Sequence, residues 1–204
     1  MKHVSFLWAL LCLFVAHVEI FGQERAEAPV FNDGDVWRYR VAEHGEYMKT
    51  DKELNGIYEI IYSAGQFGVF KVEEHQKQKL KSGTGVLVGL LAQTENQQYL
   101  KFPLCQGKSW SNDHTFTPRR RDVDRLVNSV TKIVNFGSIT IGLGSFPAFK
   151  IERDSRFKHI DHWTFVYHWS PQTKSVVKYY MEVLRGAAAG SKREIELIKF
   201  GSAN

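Results

Sequence analysis

Residues 163–169 read Trp163-Thr164-Phe165-Val166-Tyr167-His168-Trp169, an aromatic ring at every second position. Successive side chains of an extended strand point to opposite faces. Trp163, Phe165, Tyr167 and Trp169 therefore share one face, and His162, Thr164, Val166 and His168 the other. A row of four rings is too large to leave in water, so it forms either a core face or the lining of a cavity or groove. In the second role it suits a sugar ring, an acyl chain or a partner's side chains, because aromatic faces offer large apolar contact with few rotamers to freeze. These four are the candidate ligand-contacting residues.

The same two-residue period runs through the chain, and helical spacing is almost absent. Trp37, Tyr39 and Val41 alternate with Arg38 and Arg40. Tyr58, Ile60 and Tyr62 alternate with Ile57, Glu59 and Ile61, and Ser63-Ala64-Gly65-Gln66 turns the chain back into Phe67–Glu73, a hairpin. Val127, Ser129, Thr131 and Ile133 alternate with Leu126, Asn128, Val130 and Lys132. Val177, Tyr179, Met181 and Val183 alternate with Lys178, Tyr180 and Glu182, and Glu194–Phe200 closes the chain as a last strand. The class is all-β, mainly antiparallel.

One phrase occurs twice: GQFGVFKVE at 65–73 and GSFPAFKIE at 144–152. Each reads as a strand entered through glycine, with Phe70 and Val72, or Phe149 and Ile151, facing inward and the Lys and Glu outward. Upstream of each copy an entry runs from a Phe through a Gly to a Trp, Phe31 to Trp37 and Phe102 to Trp110. The pattern predicts two related halves, about 30–100 and 101–204, forming curved sheets, a sandwich or half-barrels, each hiding apolar area that the other could not.

The ends give the address. Met1-Lys2-His3 followed by the apolar run Val4–Val18 is the pattern of a secretory signal peptide, with cleavage expected after Gly22. The run is shorter than the roughly 20 residues that span a bilayer. Residues 23–204 then hold Cys105 as their sole cysteine, so no internal disulfide can form. The net charge of +5 is spread thinly outside Arg119-Arg120-Arg121, and nucleic acid is not an expected partner of an exported chain.

Catalytic and metal motifs are weak. In His159-Ile160-Asp161-His162 the first and third residues share a strand face, but no third ligand follows at a useful spacing. His162 and His168 lie about 20 Å apart on a strand. Cys105 has no histidine nearer in sequence than His114, and reads as a small buried residue near a turn. Gly142-Leu143-Gly144-Ser145-Phe146 has its serine displaced from a nucleophile elbow, and Gly83-Thr84-Gly85 lacks the lysine of a phosphate loop.

The entry Phe31-Asn32-Asp33-Gly34-Asp35-Val36-Trp37-Arg38-Tyr39, the paired Gly-x-Phe-x-x-Phe-Lys strands, and Trp169-Ser170-Pro171 followed by Val176-Val177-Lys178-Tyr179 resemble the TapB-like family of uncharacterised exported bacterial proteins. The resemblance covers most of the chain after the leader, rests on structural motifs, and implies a β-rich envelope or secreted protein with no catalytic residues to carry over. The expectation is a non-catalytic binding or assembly module, periplasmic or secreted. It would act on a protein partner or an apolar or glycan ligand, without cofactor or metal, and would not be an integral membrane protein once the leader is cleaved. Two alternatives stand beside it. One is a hydrolase whose Asp161, His159 and Glu152 meet only in the fold, and the other is a lipid or glycan carrier with an aromatic-lined cavity.

Overall fold

The computed structural model describes residues 24–45, 55–73, 76–80, 99–116, 125–157 and 161–202. The expected leader, the Arg119–Arg121 run, the Gly83–Gly85 turn and His159 lie outside them. The described residues form twelve strands: β1 (Arg25–Ala26), β2 (Asp35–His44), β3 (Gly56–Ser63), β4 (Gln66–Glu73), β5 (Gln76–Lys79), β6 (Leu104–Cys105), β7 (Ser109–Phe116), β8 (Arg125–Ile141), β9 (Gly144–Phe157), β10 (Asp161–Ser170), β11 (Ser175–Arg185) and β12 (Lys192–Ser202). Ten of them make one open antiparallel sheet in the order β5-β4-β3-β2-β12-β11-β10-β9-β8-β7, and β1 pairs with β6 in a separate two-stranded sheet. Two meanders, β2–β5 and β7–β12, are thus joined edge to edge by β12 against β2.

Register lines up the alternating residues in rows across the sheet. One row is wholly apolar: Ile133, Ile151, Tyr167, Tyr179, Ile195 and Val41, from β8 to β2. All are buried, and each such side chain contributes about 1.5–3 kcal/mol when removed from water. The segment 99–105 covers this face. Tyr99, Leu100 and Leu104 are buried in the same cluster, the Tyr167 hydroxyl donates to the Tyr99 carbonyl, and Phe102 packs edge-on against Trp169 at 5.2 Å.

The repeated phrase does not face the same way twice. Both copies follow a hairpin turn, β3–β4 and β8–β9, and both form the Lys–Glu pair two residues apart, at 2.9 Å and 2.7 Å. In the second copy Phe149 and Ile151 are buried inward, as expected. In the first, the inward residue is Val69, opposite Ile60, while Phe70 lies opposite Glu59 on the other face. The expectation that Phe70 faces inward is therefore corrected. Tyr58 and Ile60 of β3 fix the register, and Gly68 leaves room on the outer face that the Phe70 ring fills, 3.1 Å from where a Cβ would stand. A register irregularity between Ile133 and Asn135 turns Phe136 and Phe149 together into the core, 4.6 Å apart. The long hairpin then reaches back to β12, where Gly142 N–H donates to Glu196 at 3.4 Å and Phe146 meets Phe200 at 5.9 Å.

Two local features give predictions. Gly45 ends β2 at φ +118°, and a Cβ there would lie 2.6 Å from Ser191 Oγ and 2.7 Å from its Cα. Gly45→Ala is expected to lose about 1–3 kcal/mol in urea denaturation, from strained backbone and a backbone clash together. Gly65→Ala, at φ +78° with nothing within 4 Å, should cost only the roughly 1–2 kcal/mol of the left-handed conformation.

Glu59, nearly buried, takes Arg38 at 2.6 Å and is also bonded by Lys77. Burial pushes its carboxyl up, but the hydrogen bonds and charges of Lys77 and Arg38 outweigh burial and hold it below the ordinary value. A depressed carboxyl binds its proton less readily folded than unfolded, so its stabilisation is complete above the unfolded pKa of roughly 4.3. That stabilisation is lost as pH falls through the lower folded value. Denaturation curves between neutral and acid pH should therefore show a smaller acid loss in Lys77→Met than in the parent.

Candidate binding cleft and interior polar cluster

The aromatic row sits where alternation puts it, on the covered face of β10. Phe165, Tyr167 and Trp169 are buried, and Trp163 is half-buried against Phe157 at 4.8 Å. Its middle is covered by protein, with Tyr99 edge-on to Tyr167 at 6.4 Å. Its Trp169 end lines an open cleft of about 620 Å³. One wall is the N-terminal segment, with Arg25, Ala26, Glu27, Pro29, Val30 and Asn32. The other is the end of β10 and the turn that follows it, with Trp169, Pro171 and Lys174.

The sequence builds this cleft from two tight turns. Asn32-Asp33-Gly34-Asp35 closes on itself through Asp35 N–H to the Asn32 carbonyl and Asn32 N–H to the Asp35 carboxylate, both 2.9 Å. It is tied to the β3–β4 turn by Ala64 N–H to Asp33 at 2.9 Å. In the β10–β11 turn, Lys174 adopts φ +55°, uncommon for a residue with a side chain. Its ammonium reaches Asp35 at 3.2 Å, so the two turns are joined. The Trp37 indole adds a second tie, donating to the Thr173 carbonyl at 2.7 Å.

Trp169 differs from Trp37 in one respect. Its indole N–H is buried and has no hydrogen-bond partner. A buried donor left unpaired costs about 1–3 kcal/mol. The lining otherwise combines the exposed Val30, at 77% exposure, with two cations. Arg25 pairs with Glu27 at 2.7 Å on the surface, and Lys174 is half-buried.

A second, interior arrangement was not foreseen from the sequence. The row next to the apolar one runs Trp110, Thr131, Arg153, Phe165, Met181, Arg193 and Glu43. Arg153 is buried, bonded to Ser155 at 3.3 Å and Ser129 at 3.0 Å, with the Tyr99 ring 4.8 Å from its guanidinium. Ser129 and Ser155 bond each other at 2.8 Å. Farther along the row, Arg193 donates to the buried Glu43 carboxylate. Burial raises the Tyr99 hydroxyl above its usual range, with Arg153 and Arg193 opposing. At the β7 edge, burial and then Arg153 lower His114, with Asp113 opposing. The sequence signal was present: Ser129 and Thr131 occupy the apolar face of the β8 alternation.

Of the residues weighed as acid and base, Glu152 and Asp161 do not converge, and His159 lies outside the described residues. Glu152 is exposed on the outer face, paired with Lys150. Asp161 lies opposite the buried Phe157 on the other face, at the far end of β10. On the outer face His162 contacts Asp154 at 2.5 Å and Arg156 binds the same carboxylate at 3.0 Å. The neighbouring Thr164 hydroxyl is turned to the Glu182 carbonyl at 3.5 Å. Cys105 is a half-buried free thiol in β6. Among the described residues no three His, Cys, Asp or Glu side chains are placed to hold a metal ion, and no helix is long and apolar enough to cross a membrane.

No family model matches the chain, so the TapB-like resemblance rests on its sequence motifs alone. No curated protein matches either. Among solved structures, the hypothetical lipoprotein YmcC from Escherichia coli (K12) aligns with 84% of this chain and 90% of its own, at 12% identity and a TM-score of 0.38, a likeness too loose to carry an argument.

Proposed function

We propose that the protein is a non-catalytic binding module of the exported β-rich kind, which holds its ligand or partner where the aromatic row ends in the Trp169 cleft. The observation that carries this reading is the buried, unpartnered Trp169 N–H beneath an open cleft of about 620 Å³. A polar group stripped of water and left unpaired is expensive, and each one in a native structure calls for an explanation, an absent partner being one. The leader pattern supports the exported address, and Glu152 and Asp161, two of the three residues weighed for a hydrolase, lie on opposite faces of the sheet.

The test is a thermal-shift screen of the cleaved chain against separate panels of oligosaccharides, fatty acids and synthetic peptides, run in parallel on Trp169→Phe. That variant keeps an aromatic ring and removes only the donor and some volume. One panel is expected to raise the melting temperature of the parent, and the hit should bind Trp169→Phe about tenfold more weakly, the effect of one hydrogen bond of about 1.4 kcal/mol. Equal binding to both proteins, or no response to any panel, would remove the proposal.

A further inference from the structure

We infer that His168 is an acid-sensitive joint of the sheet: its protonation loosens the β10–β11 pairing at the irregularity beside it, whatever the cleft holds. On the outer face His168 stands opposite Lys150 of β9 and opposite Lys178 of β11. Directly opposed side chains of neighbouring strands have Cβ atoms about 4.5–5.5 Å apart, and like charges so placed destabilise the pairing. A neutral imidazole separates the two lysines, whereas an imidazolium completes a row of three cations across three strands. Hydrogen bonding acts in the same direction. An imidazolium donates from both ring nitrogens, and His168 Nδ1 is shielded from water with no partner among the described residues. Burial first, then the charges of Lys150 and Lys178, hold the group below the usual imidazole range.

The carboxylates near this row are engaged elsewhere. Glu152, the next outer residue of β9, is exposed and bound to Lys150 at 2.7 Å. Glu196 of β12 stands opposite Lys178 on its far side, one strand beyond reach of a direct pairing with His168, and its carboxylate also takes the Gly142 N–H at 3.4 Å. Tyr180, the next outer residue of β11, donates to Glu182 at 3.1 Å. From β8, the neutral Asn135 stands opposite Lys150, and residues 136–149 of the long hairpin carry no charged side chain. The β9–β10 ladder is regular from Asp161 opposite Phe157 to Trp169 opposite Phe149. The β10–β11 ladder steps from His168 opposite Lys178 to Trp169 opposite Val176, which leaves Val177 as an extra residue. Such a β-bulge already interrupts the ladder, so repulsion at His168 is released toward β11.

A group that binds its proton less readily in the closed sheet than in an opened one favours opening as pH falls. The stabilisation is complete above the unfolded imidazole value of roughly 6.5, and it is lost as pH falls from there through the lower folded value. Amide hydrogen exchange of the cleaved chain, corrected for intrinsic rates, reads this opening locally. Between pH 7.5 and 5, protection at residues 167–169 and 176–179 is expected to fall at least about threefold more than in β2 and β3. His168→Gln should abolish that excess. Lys178→Met keeps the imidazole and removes a facing cation, so it should shrink the excess and raise the titration midpoint of the His168 ring followed by NMR. His114, lowered by burial and Arg153 with the same sign, lies in β7 at the edge of the sheet, where its own titration is read apart from the bulge. An excess that persists in His168→Gln, a loss spread evenly over the sheet, or a midpoint unmoved by Lys178→Met would overturn the inference.

Discussion

Phe149→Ala is expected to lose about 3–5 kcal/mol of unfolding free energy, and Phe70→Ala no more than about 1 kcal/mol, measured by urea denaturation monitored through tryptophan fluorescence. Phe149 is 1% exposed and touches both Phe136 and Trp169. Its truncation removes a full aromatic transfer term and leaves a cavity that neighbouring strands, pinned by their ladders, cannot fill. Phe70 is half-buried over Gly68 on the opposite face, where solvent replaces the lost contact at little cost. Equal losses would mean that the two copies of the phrase occupy equivalent sites and that the β4 register is wrong by one residue, which would turn every side chain of that strand over.

Glu43→Gln is expected to be as damaging, about 3–5 kcal/mol, although it changes almost no volume. The Glu43 side chain is fully buried and Arg193 is 13% exposed. They face each other across the β2–β12 pairing that joins the two meanders. Removing one charge leaves the other desolvated without its carboxylate, and that residual charge, not the loss of the pair itself, sets the penalty. The double variant Glu43→Leu, Arg193→Met removes both charges and should cost much less than the sum of its parts. A double-mutant cycle by chemical denaturation measures the coupling. Simple additivity would show that the pair does not act as a unit at the seam.

The strands that alternate apolar with polar residues were legible because burial on one face writes itself into the sequence. β2, β3, β8, β10 and β11 appear at their predicted faces. β7, Ser-Trp-Ser-Asn-Asp-His-Thr-Phe, was not legible. It has a single neighbour in the sheet, so little beyond Trp110 needs to be apolar. β9 continues past Glu152 through Arg153 and Ser155, polar residues at core positions, which hide a strand from any hydrophobic pattern. Phe70 was misassigned because period two fixes which residues share a face but not which face is inside. Of the site, the aromatic row was legible and its environment was not. Nothing local to Trp163–Trp169 says that Tyr99 covers the middle of the row, or that residues 25–32 make a wall beside its end, since both are long-range contacts.

In the proposed function the Trp169 indole is the donor that a bound partner completes. Selective 15N labelling of the tryptophan indoles allows that N–H to be followed by itself, its resonance assigned through Trp169→Phe. On saturation with the tightest hit of the screen, the Trp169 indole proton is expected to shift downfield and exchange more slowly with solvent, while the Trp37 indole, already bonded to Thr173, changes little. A Trp169 signal that stays in place while the ligand is bound would contradict it.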